Sequence, residues 1–312
     1  MTIWKNKLMA FLHDPPCKPL NIAEHERIAG NFRAAAGIAS EEYREFERAC
    51  DHTASAADRF PFPGSRASGC SARFAGDETT PFRHPLGGDD LHIGVPATVD
   101  LAIGEFQDTS GSTEFAVDGL SPEDEWRIRF FLYWRRWPEE SAAHDARLAY
   151  LPADTRMPDH SIWTHMSLTS AFQGCVNTSG ELEPAFLLFQ LGPVQDFIAA
   201  ARSTRDLWSG SYLLSWLTAH AIKAVADRCG PDALIFPSLR GLGVFDAVCR
   251  SDVFDHVRYK NDLLWTRMYP QRNGAEKLLL PALPNRFLAL VPGGDAEEVA
   301  TAAEKAVRLE LG

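Results

Sequence analysis

The chain has 312 residues, 45% of them hydrophobic and 23% charged, which fits about two soluble globular domains and excludes a disordered chain. Its formal charge of -11 argues against indiscriminate binding to a nucleic acid backbone, so a nucleic acid must be guided by a local basic face, a bound metal or partners. No apolar stretch approaches the ~18 residues of a membrane span, and the six scattered cysteines, with no C-x-x-C pair, give neither a zinc ribbon nor a disulfide framework.

Apolar residues at Trp4, Leu8, Met9, Phe11 and Leu12 fall at helical spacing over 3–12, and Pro15 and Pro16 close that helix. Lys5 and Lys7 precede only a short apolar run with no small-residue cleavage site, so nothing points to secretion and a cytoplasmic protein with reduced thiols is expected. The helix ends at His13-Asp14. Adjacent imidazole and carboxylate groups can hold one divalent ion that activates water for phosphodiester hydrolysis, or can simply cap a helix end.

A second helix is predicted over about 22–35 and a third from Ser40, with Glu41 and Glu42 in its first turn, to about 57. Between 60 and 119 the texture turns to Pro, Gly, Ser and Asp with short alternating pieces at 91–93 and 101–106, an irregular insertion with a few strands. Helical patterning returns over 122–137, where Trp126, Phe130, Phe131, Trp134 and Trp137 form a stripe read as core packing. A further helix over 160–176 precedes a linker, which sets a domain boundary at 180/181.

Beyond it come a continuous apolar strand at 185–191, a long helix from Val194 to about Cys229, strands at 233–236 and 286–291, and a helix from Asp295. This is a ferredoxin-like βαββα series lacking its last strand. The fold class is α+β.

Two blocks resemble a known family. LHDPPCKPL at 12–20 with DHTASAADR at 51–59 resembles the amino-terminal HD nuclease domain of the large subunit of type III-B CRISPR effector complexes. GPVQDFIAAARSTRDLWSGSYLLSWL at 192–217 resembles the start of that subunit's first polymerase-like palm. FRHPL at 82–86 and PDHSIWTH within 156–171 also fit the family.

The resemblance implies a mainly helical, circularly permuted HD domain over 1–180 and a partial palm over 181–312. Carried over by position, His13 and Asp14 are the catalytic pair, and His13, Asp14, Asp51 and His165 hold a divalent ion such as manganese, nickel or magnesium. The reaction implied is cleavage of single-stranded DNA inside an RNA-guided complex, with the other subunits and guide RNA as partners. His25, His52 and His160 are either further ligands or solvent-facing histidines. Ser211, beside Gly210, is a weak nucleotide contact for the ATP that the complete protein holds between its two palms. A second palm is not reached, so synthesis of cyclic oligoadenylate is not expected and the chain reads as a fragment or split gene product. Gly87-Gly88-Asp89-Asp90 spells that palm's metal-binding turn, but in the irregular insertion it reads as a surface turn. The alternative function is a scaffold with a vestigial HD pocket that docks partner subunits; a free-standing phosphohydrolase of small nucleotides is a third reading.

Overall fold

The computed structural model describes residues 2–40, 48–58, 72, 74, 81–83, 86–92, 113–115, 120–144, 146–259, 262–270 and 274–312. The expectations at Glu41-Glu42 and 101–106 lie outside them. The chain divides into two compact units, residues 1–112 with 133–173 and residues 113–132 with 174–312. Residues 113–132, read from sequence as part of the first domain, belong to the second unit.

The first unit is mainly helical. It contains α1 (Ile3–Phe11), α2 (His25–Ala35), α3 (Arg48–Asp58), the later part of α4 (Pro122–His144) and α5 (Ile162–Gln173). Thr2 caps α1 by accepting from the Lys5 N–H at 3.2 Å, which satisfies one of the orphan donors of the first turn. Helices α1 and α5 are stitched by a reciprocal pair of bonds: the buried Lys7 ammonium donates to the Ser170 carbonyl at 2.9 Å, and the Ser170 hydroxyl to the Lys7 carbonyl at 2.9 Å. Around Trp137 the rings of Phe32, Trp163 and Phe11 stand 4.8, 5.3 and 6.2 Å away, close enough for edge-to-face packing. Of the aromatic stripe expected in the core, Trp134 and Trp137 of this unit and Phe130 and Phe131 of the second are buried, whereas Trp126 is half-buried.

Helix α4 does not stop at Trp137. It continues through Pro138 to His144, although proline removes a backbone donor and crowds the preceding turn. Ion pairs that bracket the proline, Arg135 with Glu139 and Arg136 with Glu139 and Glu140, hold the two sides in one helix. Strands β1 (Pro81–Arg83) and β2 (Asp90–His92) form an isolated antiparallel hairpin. Residues 86–90 are exposed at its tip and Gly88 has φ +74°, so Gly87-Gly88-Asp89-Asp90 is a surface turn, not part of a palm sheet.

The second unit carries β3 (Thr113–Phe115), β4 (Pro184–Gln190), α6 (Val194–Ala199), α7 (Thr204–Cys229), β5 (Leu234–Phe236), α8 (Gly243–Val248), β6 (Val257–Tyr259), β7 (Asp262–Leu263), α9 (Leu264–Met268), α10 (Ala275–Leu278), β8 (Arg286–Pro292) and α11 (Ala296–Leu311). The one long helix expected from Val194 is two, because Ser203 interrupts it and caps α7 by accepting from the Asp206 N–H at 3.2 Å. The sheet order is β4-β8-β5, both pairs antiparallel. One face buries Phe287, Ala289 and Val291 under α7 and α11, with Phe189 stacked on Phe287 at 5.0 Å. The other face leaves Phe186 72% and Leu188 68% exposed.

Helices α8 to α10 and strands β6 and β7, inserted between β5 and β8, were not legible in the sequence. Strand β6 pairs with β3, Phe115 opposite Val257. Arg127 secures the same segment by reaching Asp227 at 3.4 Å and the Asp252 carbonyl at 3.2 Å, while Lys223 lies 2.5 Å from both carboxylates.

Candidate metal centre

Four side chains of the first unit converge. His13 and Asp14 leave the end of α1, Asp51 stands in the first turn of α3, and His165 faces them from α5. His13 Nε2 is 3.2 Å from Asp14 Oδ2, 3.2 Å from His165 Nε2 and 3.6 Å from Asp51 Oδ1. His165 Nε2 is 3.1 Å from Asp51 Oδ1 and 3.9 Å from Asp14 Oδ2. All four residues expected from sequence are therefore brought to one point, although Asp51 and His165 are 114 positions apart.

The chemistry of this donor set fits a divalent cation. His13 Nδ1 lies 2.7 Å from the Ala10 carbonyl, a bond only an N–H can make, so neutral His13 presents a bare Nε2 to the cluster. A second imidazole and two carboxylate oxygens surround that lone pair, and such an assembly of acceptors requires positive charge at its middle. Ligands about 2.1 Å from one ion and at right or tetrahedral angles stand about 3.0–3.4 Å from each other. The distances of 3.1, 3.2 and 3.2 Å fall within that span, while those of 3.6 and 3.9 Å correspond to wider angles at the ion.

Without an ion a proton serves the same need. Burial alone would depress the His13 imidazolium, but Asp14 and Asp51 outweigh it and raise the group to about 9. Burial likewise opposes ionisation of Asp14, yet His13 and Lys18 hold it well below the usual carboxylate range. Asp51 is held low against its burial by His13 and His165. The Ser55 hydroxyl donates to Asp51 Oδ1 at 3.4 Å, one helical turn on, and so orients that carboxylate.

The uncertain histidines separate. His25 Nε2 lies 4.0 Å from Asp14 Oδ1, with Nδ1 2.5 Å from the Ile22 carbonyl, so it stands at the edge of the cluster with its Nε2 turned inward. His160 pairs through Nδ1 with Asp159 at 2.7 Å, and His52 is exposed. Sequence reasoning missed Lys18, whose ammonium sits 2.5 Å from Asp14 Oδ2; its place four residues after Asp14 in the motif was the available signal. Cys17, beside it, is buried, and burial pushes its thiol up to about 11.

Two cavities open onto the cluster. The wider, about 570 Å³, is lined by His13, Asp14, Asp51, Lys18, His25 and Arg48 among others, and the narrower, about 260 Å³, by His165, His160, Lys18, Ser55 and Arg156 among others. In the second unit, the Ser211 hydroxyl donates to the Leu207 carbonyl at 2.9 Å. A side chain at Gly210 would meet the Phe197 ring at 3.2 Å, so that glycine admits the packing of α6 on α7.

Residues 186–311 match the family described as CRISPR-associated protein Cmr2, N-terminal. The chain is 26% identical to the Cmr subunit Cmr2 of Pyrococcus furiosus, covering 97% of this chain and 37% of that protein, and 31% identical to Cmr2 of Saccharolobus solfataricus, covering 48% of this chain and 15% of that one. It thus spans well under half the length of these curated relatives. Two solved type III-B Cmr-beta structures share its fold. The apo state aligns with a TM-score of 0.68 at 22% identity, over 97% of this chain and 32% of that one, and the form bound to cognate target RNA with 0.56 at 21%, over 96% and 31%. The family match over residues 186–311, the two relatives and the shared fold together support a type III-B Cmr2 large subunit, amino-terminal portion.

Proposed function

We propose that the first unit is a permuted HD-type, metal-dependent phosphodiesterase that cuts single-stranded DNA, and that the second is a first palm of ferredoxin-like type, working within an RNA-guided type III-B complex. The observation that carries this reading is the convergence of His13, Asp14 and His165 as a group able to hold one cation, with Asp51 3.1 Å from His165 and 3.6 Å from His13. A divalent ion held there supplies Lewis acidity, activating water and neutralising charge on the scissile phosphate. The chain's own residues do the rest. The Ala10 carbonyl fixes the His13 tautomer, Ser55 orients Asp51, and buried α1 and α5 keep the two imidazoles in register.

The test is cleavage of a single-stranded oligodeoxynucleotide by the purified chain with manganese, magnesium, nickel or no metal, beside His13→Ala/Asp14→Ala. Metal-dependent cleavage that falls well over about 100-fold in the double variant is expected, since loss of an outer-shell partner alone costs about 10–100-fold. A chain that binds no metal and cuts nothing overturns the reading.

A scaffold is the second reading, and the bare sheet face at Phe186 and Leu188 favours it. On that reading, association with the other Cmr subunits survives His13→Ala/Asp14→Ala and is lost with Phe186→Ser/Leu188→Ser.

A further inference from the structure

Lys18 is tied to the metal centre in a way that the donor set does not need. Its ammonium lies 2.5 Å from Asp14 Oδ2, the oxygen that also faces His13 and His165. Lysine cannot ligate a metal while charged, so Lys18 and a cation compete for one carboxylate oxygen. Asp14 is almost wholly buried whereas the Lys18 side chain is 26% exposed, so the ammonium is the partner able to move.

Where it can move is set by the cavities. Lys18 lines both of them, the wider one on the His13, Asp14 and Asp51 side and the narrower one on the His165 side. Of the other cations on these walls three are held elsewhere, while Arg48 also lines the wider cavity. Arg27 pairs with Glu24 at 2.6 Å, Arg156 grips both oxygens of Asp154 at 3.0 and 2.7 Å, and Arg33 donates to the Leu12 carbonyl at 3.1 Å. Only for Lys18 among these is the resting partner a carboxylate whose charge a bound metal would take over. Two cations on one oxygen repel, and the displaced ammonium then stands beside the ion on the wall that the two cavities share.

We infer that Lys18 is the phosphate-binding residue of this centre, resting on Asp14 and passing to the backbone phosphate of a single strand that crosses the site from one cavity to the other. The inference rests on the nuclease reading above, and its test separates the two. Manganese binding to the full chain is measured by calorimetry for the wild type, Lys18→Gln and Lys18→Arg, and binding of a phosphorothioate oligodeoxynucleotide to the manganese-loaded proteins is measured across a salt series. Lys18→Gln is expected to hold manganese as tightly as wild type or a few-fold tighter, because a competitor has gone. Its affinity for the oligonucleotide should fall about tenfold, and the slope of log affinity against log salt should shrink by about 0.7, the value of one phosphate contact on a single strand. Lys18→Arg should restore most of both. Manganese binding that weakens in Lys18→Gln would make Lys18 a brace for Asp14 and overturn the inference, as would an unchanged oligonucleotide affinity or salt slope. Wild-type protein that binds no manganese, or no oligonucleotide when loaded, overturns the nuclease reading and this inference with it.

Discussion

The two units treat polarity in opposite ways. The first buries charge: His13, Asp14 and His165 are each under a tenth exposed, an arrangement that is costly unless the groups neutralise one another or an ion. The second exposes apolar surface, with Phe186, Leu188, Ile235 and Phe236 between 45% and 72% open. Buried charge marks a site that acts on something small enough to enter, while an open apolar face marks a surface that acts by being covered. On the readings proposed above, catalysis and docking fall to different parts of the chain.

That contrast can be broken most forcefully at Trp137, whose ring meets Phe11, Phe32, Tyr133 and Trp163 inside the first unit. Trp137→Ala should destabilise that unit by about 3–5 kcal/mol, read as an early denaturant transition and a loss of metal binding. A milder probe is Ser55→Ala, which removes the hydroxyl from Asp51. Metal affinity by calorimetry should fall about tenfold with no change in unfolding midpoint. Smaller still in stability is Phe186→Ser/Leu188→Ser. It should shift unfolding by no more than about 0.5 kcal/mol while lowering self-association seen by light scattering, and a large loss of stability would show that the face is covered within the chain. The least effect is expected from Asp252→Asn. Burial opposes ionisation of Asp252, but Lys223 and Ser251 lower it below its ordinary value of 3.8. Its contribution is therefore full above about pH 4 and fades as acid takes the pH through the lowered folded value. An acid titration of the second unit's unfolding should lose that increment in the variant.

How much of this was legible beforehand depended on range along the chain. His13-Asp14 announced itself because both residues are adjacent and end a helix that two prolines close. Asp51 and His165 were reached through a family resemblance, since packing of α3 and α5 and not spacing brings them to the pair. Lys18 stood in plain view of the motif, yet its role depends on which carboxylate oxygen it meets, and only coordinates give that. The misread elements have local causes. The helix from Pro122 was expected to run only to about Trp137 because its apolar pattern ends there, and the helix from Val194 was read as continuous because Ser203 was not recognised as a cap. The pairing of β3 with β6 joins segments about 140 residues apart, and no periodicity records such a partnership.

One consequence lies in the thiol of Cys17, set between Asp14 and Lys18. With its proton held to about 11 by burial, the thiol stays protonated near neutral pH. Copper(I) and other soft ions, which seek sulfur, therefore meet a donor set of imidazole nitrogen and carboxylate oxygen alone. The same silence shields this loop from peroxide and alkylating agents, so on the nuclease reading proposed above the centre stays indifferent to the oxidative state of its surroundings.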